Sequence, residues 1–168
     1  DTHLAVKEVV RELMKLNIIT LILGGDMTLS LAQYKGMAHS DVMLDMVMVD
    51  ERFTFAENEE SAAPDIHDYL FRIFTDRPNR ISQFTLLGYQ TYFIQSRDLD
   101  LLDQMKMNSH RLGAVRDDLK EMEPIVRDAD LLAFNISALK SCDAPGYAFP
   151  SPNGFFSDEA CQLMRYAG

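Results

Sequence analysis

Seven residues sit directly after short apolar runs, where a chain leaving a strand presents its side chains to a ligand. Asp26 and Met27 follow Gly24-Gly25 at the end of Ile18-Ile19-Thr20-Leu21-Ile22-Leu23. Asp50, Arg52 and Thr54 follow Met46-Val47-Met48-Val49, and Asn135 and Ser137 follow Leu131-Leu132-Ala133-Phe134. Open α/β sheets bind ligands outside the carboxyl ends of their strands, so these groups could converge if their strands are neighbours. A hydrolytic metal pair needs hard carboxylate oxygens and imidazole nitrogens. Met27 offers a soft thioether, Arg52 a permanent positive charge with no lone pair, and Thr54, Asn135 and Ser137 are neutral. Asp50 facing Arg52 is a balance that needs no metal. Taken singly, each residue also has an ordinary structural role: Gly24-Gly25 a tight turn, Asp26 a helix cap, Asp50 and Arg52 an ion pair.

Other chemistry is poorly represented. His3, His39, His67 and His110 are scattered without ligand spacing, and His67, between Asp65 and Asp68, reads as part of a solvated face. No G-x-S-x-G elbow surrounds Ser30, Ser137 or Ser141. Gly-Gly-Asp is not followed by a G-x-G-x-x-G or Walker pattern. Cys142 and Cys161 form neither a C-x-x-C pair nor a zinc-like spacing. The methionines, Met43, Met46, Met48, Met105 and Met107 among them, read as adaptable core packing.

In order and spacing, Gly24-Gly25-Asp26-Met27-Thr28-Leu29-Ser30, Asp50-Glu51-Arg52-Phe53-Thr54 and Phe134-Asn135-Ile136-Ser137-Ala138-Leu139 resemble the ureohydrolase family of arginase, agmatinase and formimidoylglutamase. The family's motifs read G-G-D-H-S, D-A-H-x-D and S-F-D-x-D-x-x-D and hold two manganese ions with two His and four Asp. The resemblance implies that Met27 stands at the first His, that Asp50, Arg52 and Thr54 stand at the Asp-x-His-x-Asp triplet, and that Asn135 and Ser137 stand at the Asp-x-Asp pair. Only Asp50 keeps its family residue; Lys140 replaces a further Asp. The resemblance runs from the helix before Gly24 to the helix after Gly154, and Pro152-Asn153-Gly154 followed by an acidic helix with Glu159 is closest to the formimidoylglutamase-like branch. It implies that the site residues share one pocket, with the Arg52 guanidinium roughly where a cation lies in the family, hydrogen-bonded to Asp50 or Asp26. Loss of Arg52 from such a buried pair is expected to cost about 3–5 kcal/mol.

The positioning elements are read from periodicity. Val6, Val9, Val10, Leu13 and Leu16 recur at helical spacing ahead of a buried strand over Ile18–Leu23. Met27–Ala38 reads as a turn into a helix, Met46–Val49 as a strand, Ile66–Phe74 as a helix after a polar loop over Glu57–Ala63, and Phe84–Leu87 as a strand closed by Gly88. A helix around Leu99, Leu102 and Met105, a short strand over Arg111–Val115, a helical stripe over Leu119–Ala129 broken by Pro124, and a last strand over Leu131–Phe134 complete the series. Alternating strands and helices imply a three-layer α/β domain with a mainly parallel sheet, here residues 1–168 as one arginase-like domain. The start at Asp1 within a helical pattern and the end at Gly168 lead us to expect an incomplete fold at both ends, stable as part of a longer chain, a homo-oligomer or a protein complex.

Composition narrows the function classes. The 168 residues are 47% apolar and 25% charged, which is globular, and a formal charge of −10 argues against nucleic acid and anionic membrane surfaces. No run approaches a membrane span, and the cysteine usage fits a cytoplasmic setting. The leading expectation is a catalytically silent relative, without a metal cofactor, acting as a binding or structural subunit. The alternatives are a manganese-dependent amidinohydrolase cleaving a linear amidine C–N bond and a small-molecule sensor reusing the old pocket.

Overall fold

Apolar runs of four to six residues become strands where another run lies alongside to complete their hydrogen bonds. In the computed structural model, which describes residues 2–38, 42–55 and 64–167, the strands β1 (Leu44–Val49), β2 (Ile81–Tyr89), β3 (Asn108–Arg111) and β4 (Leu131–Phe134) form one sheet in the order β3-β2-β1-β4. β1 pairs with β4 and β2 with β3, both in parallel, with Val49 opposite Phe134. The helices are α1 (Thr2–Lys15), α2 (Leu29–Met37), α3 (Tyr69–Thr75), α4 (Ser96–Gln104), α5 (Leu112–Asp117), α6 (Glu123–Arg127) and α7 (Ser157–Tyr166). The chain divides into two compact units, residues 1–44 with 55–81, and residues 45–54 with 82–168.

In the second unit, Val47, Val49 and Leu87 from one face of the sheet pack with Leu112 and Val115 of α5, Met122, Val126 of α6, Phe155 and Leu163 of α7. Met46, Met48 and Leu86 alternate to the opposite face and are equally buried, the pattern of a parallel sheet. Pro124 breaks the helical stripe as expected, separating a 3-10 turn over Leu119–Met122 from α6, whose first turn it occupies without needing a donor. Gly88 has φ +85°, and a Cβ there would lie 2.4 Å from the Phe155 ring. The register of β2 against β3 shifts at this point, between Leu87 and Tyr89.

In the first unit α1 packs on α2 through Gly36, where a Cβ would meet the Lys7 carbonyl at 2.7 Å. Phe55 stacks on Phe71 and Phe74, and the Asn79 side chain donates to the Ile73 and Phe74 carbonyls, closing the end of α3.

Two expected strands differ. Residues 18–23 are not in a strand, and no backbone hydrogen bond reaches them among the described residues except one from the Ile18 amide to Leu13. Ile19, Leu21 and Leu23 are 97%, 76% and 85% exposed. β-branched composition favours a strand, but hydrogen-bonded pairing makes one, and these residues have none among the described residues. Arg111–Val115 is the end of β3 followed by α5; Leu112 and Val115, three residues apart, face the core as one side of a helix. The expected loop over Glu57–Ala63 lies outside the described residues.

These packing differences give opposite expectations for two substitutions. Gly88→Ala should lower the denaturation midpoint by the equivalent of about 2 kcal/mol or more, from positive φ and the clash with Phe155. Leu21→Thr should change stability by no more than about 0.5 kcal/mol while reducing light scattering of concentrated protein, because it removes exposed apolar surface.

Candidate functional site

β1 and β4 run parallel and end side by side, so the residues just after them meet. The Asn135 amide donates to the Val49 carbonyl at 2.8 Å, and the Asp50 amide to the Leu87 carbonyl at 3.1 Å. Three donors converge on the Asp50 carboxylate: Asn135 Nδ2 at 2.7 Å on Oδ2, and Ser137 Oγ at 3.0 Å and the Arg52 backbone amide at 3.1 Å on Oδ1. Asn135 Oδ1 in turn accepts from the Ser137 amide at 3.1 Å, fixing the short 3-10 turn that aims the hydroxyl. Asp50 is 5% exposed and Ser137 3%. The structure therefore brings together Asp50, Asn135, Ser137 and the backbone of Arg52.

The Arg52 side chain corrects the sequence reading. Its guanidinium does not bond Asp50. Nε donates to Glu51 Oε1 at 2.9 Å, Cζ lies 4.4 Å from the Phe93 ring centroid, and the side chain is 53% exposed against 1% for Glu51. The cause is local: the Arg52 amide folds back on Asp50 as an Asx turn, which uses the carboxylate from the backbone side and sends the guanidinium to the neighbouring acid. A buried Asp50–Arg52 pair, with its cost of about 3–5 kcal/mol, does not form.

Asp26 and Met27 lie in the first unit. Asp26 Oδ1 accepts from the Thr28 amide at 2.9 Å and from the Thr28 hydroxyl, which also meets His3 Nε2 at 2.8 Å. Asp26 thus serves the turn into α2. Thr54 is half-buried with no side-chain hydrogen bond among the described residues.

Sequence reasoning missed a second polar layer. Gln90, at the end of β2, places its amide nitrogen 3.5 Å from Glu51 Oε2 and 3.1 Å from the Asn153 carbonyl, while Asn153 Nδ2 donates to Gln90 Oε1 at 3.0 Å. The Tyr92 hydroxyl also donates to Gln90 Oε1. The available signal was position: Gln90 follows β2 as Asp50 follows β1.

Burial pushes the Asp50 carboxyl above the ordinary aspartate value of 3.8, opposed by the bonds from Asn135, Arg52 and Ser137 and aided by the nearby Glu51 charge. As a manganese site the set does not fit. Arg52, Asn135 and Ser137 contribute no anionic or imidazole donor, and three protein donors already occupy both oxygens of Asp50. Among the described residues no group of three or more His, Cys, Asp or Glu could hold a metal.

Asn135→Ala or Ser137→Ala should each destabilise by about 1–3 kcal/mol, since each leaves a buried charge short of a donor. Arg52→Ala, which removes a half-exposed partner, should cost about 1 kcal/mol or less. A carboxyl whose pKa is raised on folding holds its proton more tightly folded than unfolded. The stability it contributes is therefore full below the unfolded pKa and is lost as pH rises through the folded pKa. Unfolding midpoints of wild type and Asp50→Asn between pH ~4 and pH ~8 should show the wild type losing ground to the variant as pH rises.

The family model for arginases matches residues 1–168. No curated protein matches. Among solved structures, formimidoylglutamase from Bacillus subtilis superposes with a TM-score of 0.81 at 20% identity, covering 98% of this chain and 54% of that one. Formiminoglutamase from Trypanosoma cruzi with two manganese ions gives 0.84 at 15%, covering 96% and 56%. A quadruple mutant of the T. brucei arginase-like protein gives 0.69 at 17%, covering 97% and 51%; in it, an arginine changed to histidine lies between two serines changed to aspartate, each two residues away, with a third serine changed to aspartate further on. The chain spans about half the length of these proteins. With its parallel sheet and alternating helices it has the α/β arginase-like fold, and it belongs to the arginase family.

Proposed function

We propose that this chain is a catalytically silent member of the arginase family whose strand-end site acts in binding or assembly, as one subunit of a homo-oligomer or protein complex, and takes up no manganese. The observation that carries this reading is Asp50: the one carboxylate kept from the family's ligand set is engaged at 2.7–3.1 Å by three protein donors. A metal would have to displace all three, and Arg52, Asn135 and Ser137 would offer it only neutral or cationic groups, with the Glu51 carboxylate already engaged by Arg52. The T. brucei arginase-like protein supports it by pattern. There an arginine flanked two residues away on each side by serine was replaced by histidine flanked by aspartate, and Asp50-x-Arg52-x-Thr54 has the same arginine in the middle at the same spacing. Formimidoylglutamase-like topology without the family's donors is a scaffold available for recognition. Among the described residues no helix is long and apolar enough to cross a membrane. The two exposed free thiols, Cys142 and Cys161, fit a reducing, cytoplasmic setting.

Calorimetric titration with manganese after exhaustive dialysis should show no saturable heat, and thermal unfolding should not shift. A specific site at a hundredfold excess over its Kd would stabilise by about 2.7 kcal/mol, well within reach of the measurement. Stoichiometric retained manganese, or a shift of that size, would overturn the reading.

A further inference from the structure

Because Arg52 does not pair with Asp50, its guanidinium is available for something else. Nε is held by Glu51 at 2.9 Å, and the Glu51 side chain is only 1% exposed, so the anchor is rigid. The plane rests over Phe93, 4.4 Å from its centroid. Nη1 and Nη2 make no hydrogen bond among the described residues, on a side chain that is 53% exposed. Tyr92, 64% exposed, packs beside Phe93 with ring centroids 4.5 Å apart, and its hydroxyl is tied to Gln90. The geometry is an oriented cationic fork backed by the Phe93 ring, with Tyr92 packed beside that ring, at the carboxyl ends of β1 and β2, where α/β sheets bind ligands.

We propose that Arg52 anchors a site for a small organic monocarboxylate, its carboxylate on the Nη1–Nη2 fork and its apolar body against Tyr92 and Phe93. This rests on the reading of the site as a metal-free binding element. The planar fork matches a carboxylate through two parallel hydrogen bonds. A monoanion is favoured over phosphate because Glu51 already offsets part of the Arg52 charge, Asp50 lies one residue further back, and the whole chain carries −10.

The test is an NMR titration of the protein with phenylacetate, acetate and inorganic phosphate, following the Arg52 Nε–Hε and Gln90 side-chain signals. Phenylacetate should shift both saturably. Arg52→Lys, which keeps the charge and loses the fork, should weaken it roughly tenfold or more, and Arg52→Gln should abolish it. Phe93→Leu should weaken phenylacetate towards acetate. No saturable shift in the wild type, undiminished binding in Arg52→Lys, or phosphate binding tighter than phenylacetate would overturn the proposal; should Arg52→Gln fail to fold, the wild-type and lysine titrations still decide. The manganese titration separates the two readings. Phenylacetate binding in a protein that also retains manganese defeats the metal-free reading and leaves this site standing. Absence of phenylacetate binding in a protein that takes no manganese defeats this site alone.

Discussion

The Asp50 carboxylate joins the ends of β1 and β4, and the local architecture of the site follows from keeping it charged in a nearly dry place. Moving an ion out of water costs several kcal/mol; hydrogen bonds to a charged acceptor return about 1.5–3 kcal/mol each. Three are present, and each comes from a different piece of chain: the turn after β1, the residue after β4, and the 3-10 turn beyond it. Register supplies the reason they can meet. Val49 lies opposite Phe134 in a parallel pair, so the next residues, Asp50 and Asn135, leave the sheet together.

A second layer depends on the first. Once the Arg52 amide has turned back onto Asp50, the guanidinium must find another acid, and Glu51 is the adjacent one. Glu51 then holds the end of β2 through Gln90, and Gln90 holds the segment around Asn153. The cationic group ends on the outside of this network, stacked on Phe93, while the neutral residues Asn135 and Ser137 hold the Asp50 carboxylate on the inside.

What could be read from the sequence was what local pattern encodes. Met46–Val49 and Leu131–Phe134 announced strands by composition and length, α1 by apolar spacing, and Pro124 the break between two helical pieces. The family framework identified Asp50, Asn135 and Ser137 as companions, and geometry joined them. Pairing across distance was not legible. Ile18–Leu23 has the composition of a buried strand, yet a strand also requires a neighbour, which no single-segment pattern records. β3, Asn-Ser-His-Arg, carries no apolar alternation to notice. Glu51, Gln90 and Asn153 are separated by 39 and 63 residues, so their contact exists only in three dimensions. The direction of Arg52 was misread because a backbone amide, which every residue has, competed with its side chain for the same carboxylate.

The 2.7 Å contact between Asn135 Nδ2 and Asp50 Oδ2 also bears on how such a chain could change by single steps. Asparagine there is a donor; aspartate at the same position would set two carboxylate oxygens against each other at hydrogen-bond distance, a geometry tolerated only with a shared proton or a bound cation. Arg52 is committed to Glu51 and Ser137 is neutral, so neither would help to hold that cation. A lone Asn135→Asp change therefore meets a penalty before it meets any benefit. The amide acts as a ratchet: several positions would have to change together, because the bond that opposes the single step is the one that keeps the two strands joined.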